Sequence, residues 1–243
     1  MGQEVDYTIK YPTQVKVLHQ IEITSRCNLQ CKYCLQPYLT RKKEDMSEET
    51  FIKAVTAASY FASLGWQREL WLHGLGESTI HRDFIKFLGI AREYLPNMPV
   101  RVSTNAIGVT EDTALALKEY RIPVHISLHR PDLAHEGIFI LKKHGLIEEM
   151  SINPIVNATD WAGQIEWESH VEASKCGWVA NGWCIVLADG RVSMCCSDGN
   201  GEEIIGHVDD IYDLKTGPRK LCEGCHLTVP DKYDELRTLA DHR

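Results

Sequence analysis

Apolar and polar residues alternate in the first clearly patterned segment of the chain. Val15, Val17, Ile21 and Ile23 occupy odd positions within residues 15–24, with mostly polar residues between them. A period of two places these apolar side chains on one face of an extended chain. The pattern therefore predicts a half-buried β-strand near the start of the fold.

The pattern then changes to a helical period. Ser47, followed by two glutamates, is typical of a helix N-cap with an acidic first turn. Apolar residues recur from there at helical spacing up to Gly65, which predicts a helix. Further strands are predicted at 69–72, 100–103, 124–128 and 149–156, and further helices at about 80–95, 111–120 and 133–144. Alternating strands and helices with short connections predict βαβ units and a parallel sheet.

The last third of the chain differs in character. Residues 183–188 and 191–195 flank Asp189-Gly190, a pair that suits a type I′ turn, so a β-hairpin is predicted there. Six of the nine cysteines lie beyond residue 175. We therefore predict a first domain at 1–165 and a second, Cys-rich domain at 166–243.

Bulk composition narrows the class of protein. With 243 residues, 44% of them hydrophobic and 25% charged, the chain is ordinary for a soluble globular protein with one main core. It has no apolar run of membrane-spanning length and no signal-peptide pattern, so we expect no membrane and a cytoplasmic location. A net charge of −8 argues against a nucleic-acid partner, whose phosphates would need a basic surface. The basic run Arg41-Lys42-Lys43 is interpreted as a solvated loop.

The candidate chemistry begins directly after the first strand. Cys27, Cys31 and Cys34 lie within eight residues, so their thiols can bind one metal centre. Three thiolates do not complete the four-thiolate shell usual for an iron–sulfur cluster, which leaves an open position of the kind a catalytic site needs. By spacing alone, a zinc site, a disulfide with a spare thiol, or chance remain alternatives. Nine clustered cysteines, an odd number, fit metal binding in a reducing compartment better than a disulfide framework.

This C-x3-C-x2-C run, with Tyr33 before its third cysteine, resembles the radical S-adenosylmethionine (SAM) enzymes. The resemblance implies a [4Fe–4S] cluster on the three cysteines, whose open iron chelates SAM, and a role for Tyr33 in cofactor binding. In that family one electron from the cluster cleaves SAM to methionine and a 5′-deoxyadenosyl radical, which abstracts a substrate hydrogen. We expect an α/β fold. Five predicted units and the segment that follows them are too few for a closed eightfold barrel. The expected form is therefore a partial (β/α)6 TIM-like barrel with a small Twitch-like hairpin and helix extension.

The turn after the second predicted strand carries a glycine motif. His73-Gly-Leu-Gly-Glu77 resembles the Gly-Gly-Glu-Pro motif of the family, although Ser78 stands where proline is common. The resemblance implies that Gly74, Gly76 and Glu77 contact SAM, at its amino group. A plain glycine turn with a glutamate at a helix start is the alternative.

Polar residues also follow the third, fourth and fifth predicted strands, and sites in parallel α/β folds lie at these strand ends. The resemblance implies SAM or substrate contacts for Ser103, Thr104, Asn105, Ser127, His129, Asn153 and Asn157. His129 is the candidate catalytic residue among them. The alternatives are turn-forming polar residues and a loop histidine that faces solvent.

A second set of thiols lies in the C-terminal region. Cys176, Cys195, Cys222 and Cys225 can complete a shell of four thiolates around zinc or an iron–sulfur cluster. The set resembles the SPASM/Twitch extensions of radical SAM enzymes, which implies one auxiliary [4Fe–4S] cluster. Cys184, inside a hairpin strand, and Cys196, on the face opposite to Cys195, compete for the same role.

These features lead to a function prediction. We expect a radical SAM oxidoreductase that oxidises a small molecule by two electrons, with the auxiliary cluster as electron acceptor. Radical cross-linking or epimerisation of a ribosomal peptide is the first alternative, and a non-catalytic iron–sulfur or zinc protein is the second. The expected partners are the substrate and a one-electron reductant such as flavodoxin or ferredoxin.

Overall fold

A computed structural model describes residues 12–152, 158–168, 176–217 and 219–225. Asn153 and Asn157, which the sequence marks as possible site residues, lie outside the described residues, as does the second half of the strand predicted at 149–156. The strand itself is described as Ile147–Ser151, two residues earlier than predicted.

Parallel strands and helices alternate along the first two thirds of the chain. The strands are β1 Val17–Ile21, β2 Leu70–Leu72, β3 Val100–Thr104, β4 Val124–Ser127 and β5 Ile147–Ser151. The helices between them are α1 Glu48–Ser63, α2 Phe84–Tyr94, α3 Glu111–Glu119 and α4 Pro131–Lys143. Strands β1 to β5 pair in parallel in sequence order. The predicted α/β class and parallel sheet are confirmed.

The C-terminal hairpin joins the same sheet. After the short helix α5 Gly177–Asn181, the strands β6 Trp183–Val186, β7 Arg191–Ser193 and β8 Ile204–His207 follow. Strand β6 pairs in parallel with β1, whereas β7 and β8 add antiparallel neighbours, which gives the order β5-β4-β3-β2-β1-β6-β7-β8. The predicted hairpin is confirmed, and its turn at Gly190 has the positive φ of 87° that glycine tolerates. The division at residue 165 stays a prediction, since one continuous sheet crosses it.

Local signals explain where the helices begin and end. The Ser47 hydroxyl accepts a hydrogen bond from the Thr50 N–H and caps α1, as predicted. One face of α1 is buried, and its Phe51 ring stacks on Phe87 of α2 at 4.2 Å between centroids. The predicted start of the second helix near residue 80 is wrong. Residues 78–80 form a single 3₁₀ turn, and α2 begins at Phe84.

The two faces of the sheet have different environments. Residues such as Leu72, Val102 and Ile126 are fully buried and belong to the main core together with residues of the helices. The residues between them in each strand point to the opposite face of the sheet, here called the inner face. They are only partly buried, as the burial patterns of β2 and β4 show. Arg101 on this inner face forms ion pairs with Glu69, which directly precedes β2, and with Glu148, near the start of β5. The inner face is thus closed by charged side chains at one end, and its opening is at the carboxyl ends of the strands.

None of the helices within the described parts of the chain is long and apolar enough to cross a lipid bilayer.

Gln67 supports the sheet where the β1–β2 ladder is short. Its buried amide accepts a hydrogen bond from the Leu18 N–H (3.0 Å) and donates one to the Leu18 carbonyl (2.7 Å). We expect Gln67→Ala to lower the free energy of unfolding by about 1–3 kcal/mol, because two buried backbone groups lose their partner. Urea unfolding measures this as a lower midpoint with an unchanged m-value. The exposed Gln14→Ala is the matched control, and an equal effect of both would contradict the role of Gln67.

Candidate active site

A cavity of about 480 Å³ opens at the carboxyl ends of the parallel strands. Its volume lies in the range of ~300–1,000 Å³ that is typical of ligand pockets. Every described residue with a predicted SAM or substrate contact lines it, namely Tyr33, Gly74, Gly76, Glu77, Ser103, Thr104, Asn105, Ser127 and His129, together with Cys27, Cys31 and Cys34. The structure thus brings together in one cavity four segments that are far apart in the sequence.

The loop that carries the three cysteines returns to the end of β1. The Ser25 N–H donates to the Glu44 carbonyl (2.9 Å), and the Met46 N–H donates to the Ile23 carbonyl (2.8 Å). A tight turn links the Cys34 N–H to the Cys31 carbonyl (3.0 Å). The two ends of the loop are therefore fixed to each other directly after β1, and this holds the thiols at the cavity.

The donor set fits a positively charged centre. Burial, followed by the neighbouring thiols of Cys31 and Cys27, raises the pKa of Cys34 to about 11, and burial also raises the pKa of Cys27. Thiolates this close together become stable only with a nearby cation, such as the iron ions of a cluster. Backbone N–H groups of Leu29 and Gln36 point at the sulfurs of Cys27 and Cys34, each at 3.4 Å. Such hydrogen bonds are typical of cluster thiolates.

The two glycines of the turn after β2 are required by close packing against the root of the cysteine loop. A Cβ atom on Gly76 would lie 1.9 Å from the Thr24 carbonyl oxygen, and one on Gly74 would lie 2.5 Å from Glu22 Cβ. The Glu77 N–H also donates to the Arg26 carbonyl (2.8 Å). The glycines thus let two loops of the site interlock, and their predicted contact with SAM stays a prediction.

Glu77 connects the second and third strand ends. Its buried carboxylate accepts hydrogen bonds from the Thr104 hydroxyl and the Asn105 N–H, both at 2.7 Å, and from the Thr79 hydroxyl and N–H. Burial raises the pKa of Glu77, and the donated hydrogen bonds oppose that effect. The Asn105 amide in turn donates to Asn28 in the cysteine loop (2.7 Å). These contacts position the strand ends around the cavity.

A buried ion pair between Glu22 and Arg41 is a site feature that the sequence did not indicate. The side chain of Arg41 is only 5% exposed, so its prediction as part of a solvated loop is wrong, whereas neighbouring Lys42 is 78% exposed as predicted. One guanidinium nitrogen lies 2.7 Å from both carboxylate oxygens. The same carboxylate accepts from the Leu75 N–H (3.1 Å) and the Ala188 N–H (3.2 Å). A charged residue directly after a buried strand was the only available signal.

Tyr33 and His129 form one unit at the cavity wall. The Tyr33 hydroxyl and His129 Nδ1 are 2.8 Å apart, and Trp161 donates its indole N–H to the Tyr33 carbonyl (3.1 Å). His129 is half-buried, and burial lowers its pKa. It is therefore no solvent-facing loop histidine, and its catalytic role stays a prediction.

The four C-terminal cysteines also come together. Cys176, Cys195, Cys222 and Cys225 all line a second, small cavity, and burial with the three neighbouring thiols raises the pKa of Cys222 to about 12. Of the two competing residues, Cys184 is completely buried in the main core and lines neither cavity. Cys196 lines the large cavity instead.

Within the described ranges, no three His, Cys, Asp or Glu side chains are grouped to hold a single metal ion. This holds for both sets of thiols, and each set is brought together by the cavity that it lines.

Comparison with known proteins identifies the class that this fold and site define. Residues 21–164, more than half of the chain, match the model of the Radical SAM superfamily. The chain therefore belongs to the radical SAM superfamily and is an enzyme of that class. Membership implies a [4Fe–4S] cluster and SAM as cofactors, and the thiols and polar groups that line the large cavity fit both.

Particular relatives refine this comparison. The chain is 24% identical over 243 residues to the S-adenosyl-L-methionine-dependent 2-deoxy-scyllo-inosamine dehydrogenase of Niallia circulans, covering 88% of this chain and 96% of that protein. It is 31% identical over 100 residues to the tungsten-containing aldehyde ferredoxin oxidoreductase cofactor-modifying protein of Pyrococcus furiosus, covering 41% of this chain but only 26% of that protein. The first relative is a dehydrogenase, which agrees with the predicted oxidoreductase class.

Solved structures agree on the fold. The structure of BtrN in complex with AdoMet and 2-DOIA has a TM-score of 0.65 at 18% identity and covers 83% of both chains. Native anSMEcpe with bound AdoMet has a TM-score of 0.58 at 15% identity, over 81% of this chain and 79% of that chain. At these identities the similarity establishes the fold alone.

The ion pair can be tested by matched alanine variants in one loop. We expect Arg41→Ala to lower the free energy of unfolding by about 3–5 kcal/mol, because it leaves the Glu22 carboxylate buried without its counter-charge. Lys42→Ala, which removes an exposed pair with Glu44, should cost about 0–1 kcal/mol. Urea unfolding without oxygen measures both. Equal midpoints for the two variants would show that Glu22 does not depend on Arg41.

Proposed function

We propose that this enzyme oxidises a hydroxyl group of a small polar molecule to a carbonyl group. Cys27, Cys31 and Cys34 would hold the first cluster, and SAM bound there would supply the 5′-deoxyadenosyl radical that takes the carbinol hydrogen. Cys176, Cys195, Cys222 and Cys225 would hold an auxiliary iron–sulfur cluster, which would supply an acceptor for the second electron. A one-electron reductant such as flavodoxin or ferredoxin and a cytoplasmic location belong to this proposal.

The observation that carries the proposal is the position of Cys195. This residue lines both the large cavity and the small cavity that the other three C-terminal cysteines share. A centre bound there is separated from a substrate in the large cavity by one residue. Iron–sulfur clusters accept single electrons over a wide range of potentials, whereas zinc is redox-inert. The adjacency therefore supports an electron acceptor over a structural zinc ion.

The lining of the large cavity supports a hydroxyl-bearing substrate without a phosphate or carboxylate group. Among the described lining residues there is no lysine or arginine to bind a phosphate or carboxylate. The carboxylate of Asp198 is buried and accepts from the Ser193 hydroxyl (2.9 Å) and from the N–H groups of Glu202 (2.8 Å) and Glu203 (3.0 Å). The carboxylates of Glu22 and Glu77 likewise already accept hydrogen bonds from the protein. The polar groups that remain available to bind a ligand are hydroxyl, amide and imidazole groups.

The dehydrogenase relative supports the same reaction class, since the alignment covers nearly the whole of both chains. The compound in the name of that relative, 2-deoxy-scyllo-inosamine, is an amino alcohol. We propose a small polar alcohol of related chemistry as the substrate of this enzyme.

A second candidate function is the redox-neutral epimerisation of a substrate, such as a residue of a ribosomal peptide. The observation that favours it is Cys196, whose side chain lines the large cavity. A thiol at this place can return a hydrogen atom to a substrate radical. This candidate predicts solvent hydrogen in the product and no carbonyl group.

The first experiment separates an enzyme from a non-catalytic metal protein. Anaerobically reconstituted protein is expected to contain about eight irons, and Cys222→Ala about four, because each site holds one [4Fe–4S] cluster. With dithionite and SAM, the wild type should release 5′-deoxyadenosine and Cys27→Ala should release none. Cys184→Ala is the matched control, since its thiol lines neither cavity, and it should retain both properties. About four irons plus one zinc in the wild type would overturn the auxiliary cluster.

The second experiment separates oxidation from epimerisation. The enzyme is incubated anaerobically with dithionite and SAM and with 2-deoxy-scyllo-inosamine, myo-inositol and related cyclitols that carry deuterium at the carbinol carbons. Oxidation predicts deuterium in 5′-deoxyadenosine and one equivalent of ketone, measured by mass spectrometry. Deuterated 5′-deoxyadenosine with solvent hydrogen in a recovered, epimerised substrate would favour the second candidate. Cys196→Ala should then abolish the return of hydrogen.

A further inference from the structure

A second histidine, besides His129, lies in the wall of the large cavity. His73 directly follows β2, and its backbone N–H donates to the Ile21 carbonyl (3.0 Å), which fixes the residue to the end of β1. Its half-buried side chain lines the cavity between the cysteine loop and the polar end of β3. It precedes the glycine turn, whose packing against Glu22 and Thr24 fixes the position of the backbone.

His73 differs from two other histidines on the inner face of the sheet, which already have hydrogen-bond partners. His129 bonds to the Tyr33 hydroxyl, and His125 bonds to Ser151 at 3.0 Å. His19 stacks on Trp183 at 4.2 Å between ring centroids and has a buried Nδ1 without a hydrogen-bond partner among the described residues, but it lines neither cavity. Within the described residues no group hydrogen-bonds to the His73 imidazole. His73 and His129 are the two histidines among the described lining residues. Of these two, His73 has both ring nitrogens available for a ligand.

The surroundings keep His73 uncharged. Burial, followed by the nearby imidazoles of His125, His19 and His129, lowers the pKa of His73 to about 4. A neutral imidazole has one N–H donor and one nitrogen acceptor. It can therefore accept a hydrogen bond from a substrate hydroxyl at neutral pH, which an imidazolium cannot do.

We propose that His73 is the catalytic base of the oxidation, and that one of its ring nitrogens accepts a hydrogen bond from the substrate hydroxyl and then its proton. This inference rests on the proposed function. It also narrows the substrate to an alcohol whose reacting hydroxyl reaches the inner end of the cavity beside β2. Ser103, at the end of the neighbouring strand β3, and Ser127, at the end of β4, line the same cavity and can hold a second hydroxyl.

The step balances as the loss of two electrons and two hydrogens from the alcohol. The C–H bond breaks homolytically, and its hydrogen atom goes to the 5′-deoxyadenosyl radical. The O–H bond breaks, its proton goes to His73, and the remaining electron goes to the auxiliary iron–sulfur cluster as the C=O bond forms. Because the O–H group becomes strongly acidic as the electron leaves, a weakly basic imidazole is sufficient to take the proton.

Two variants and one measurement on the wild type test the inference. With deuterated cyclitols, His73→Gln should still transfer deuterium to 5′-deoxyadenosine but should form at least about 100-fold less ketone per deoxyadenosine, the usual size of a general-base effect. His73→Ala should regain ketone formation when imidazole is added. His125→Gln is the matched control, since its ring already has partners on the same inner face, and it should keep the wild-type ratio.

The wild-type measurement does not depend on turnover. Nitrogen NMR of ¹⁵N-histidine-labelled protein reports the charge of each imidazole ring, and the His73→Gln variant assigns the His73 signal. The His73 ring should be neutral at pH 7. Addition of the cyclitol that is oxidised should shift the His73 signal. A charged His73 ring, or an unchanged ketone ratio in His73→Gln, would overturn the inference while the proposed function stands. Absence of deuterium transfer from every cyclitol in the wild type would overturn the proposed function first, and the inference with it.

Discussion

The arrangement of the site depends on one buried ion pair at the end of the first strand. Glu22 accepts hydrogen bonds from Arg41, from the glycine turn at Leu75 and from the C-terminal hairpin at Ala188. Arg41 also donates to the Gly199 carbonyl. A buried carboxylate is costly unless every oxygen has donors, so the three donor segments stabilise it only when all are in place. The pair thereby couples the cysteine loop to the region that carries the second set of thiols.

The segment 158–168 gives a second connection between the two sets of thiols. Trp161 donates to the Tyr33 carbonyl, between Cys31 and Cys34, and Gln164 donates to the Ser197 carbonyl, two residues after Cys195. Trp161 and Ala162 both have positive φ values, 55° and 59°, which are rare for residues with a Cβ. Tertiary contacts hold this conformation, and Trp161 forms part of the wall that encloses the cavity.

Several parts of the fold could be predicted from sequence because they depend on neighbours in the chain. The helix cap at Ser47 and the hairpin turn at Gly190 are examples, since a cap needs only the first helical turn and a hairpin only two adjacent strands. The start of α2 was misplaced because residues 78–80 are needed for a turn that lets Glu77 reach Thr104. The pairing of β6 with β1 was not predicted either. An apolar strand carries no signal for which sheet edge it joins, since any edge satisfies its backbone groups.

By itself the sequence determined which residues could carry chemistry, since thiol spacing and polar residues after strands are properties of the chain. It indicated both sets of cysteines and the polar strand ends, and the structure groups each set at a shared cavity. Only the tertiary structure decided which of these side chains already have a partner within the protein and which are available to bind a ligand. Arg41 belongs to a basic run but is buried against Glu22, His129 is engaged by Tyr33, and His73 faces the cavity without a partner among the described residues. These differences come from contacts between distant segments, because hydrogen-bond partners and burial depend on the assembled fold and not on local pattern.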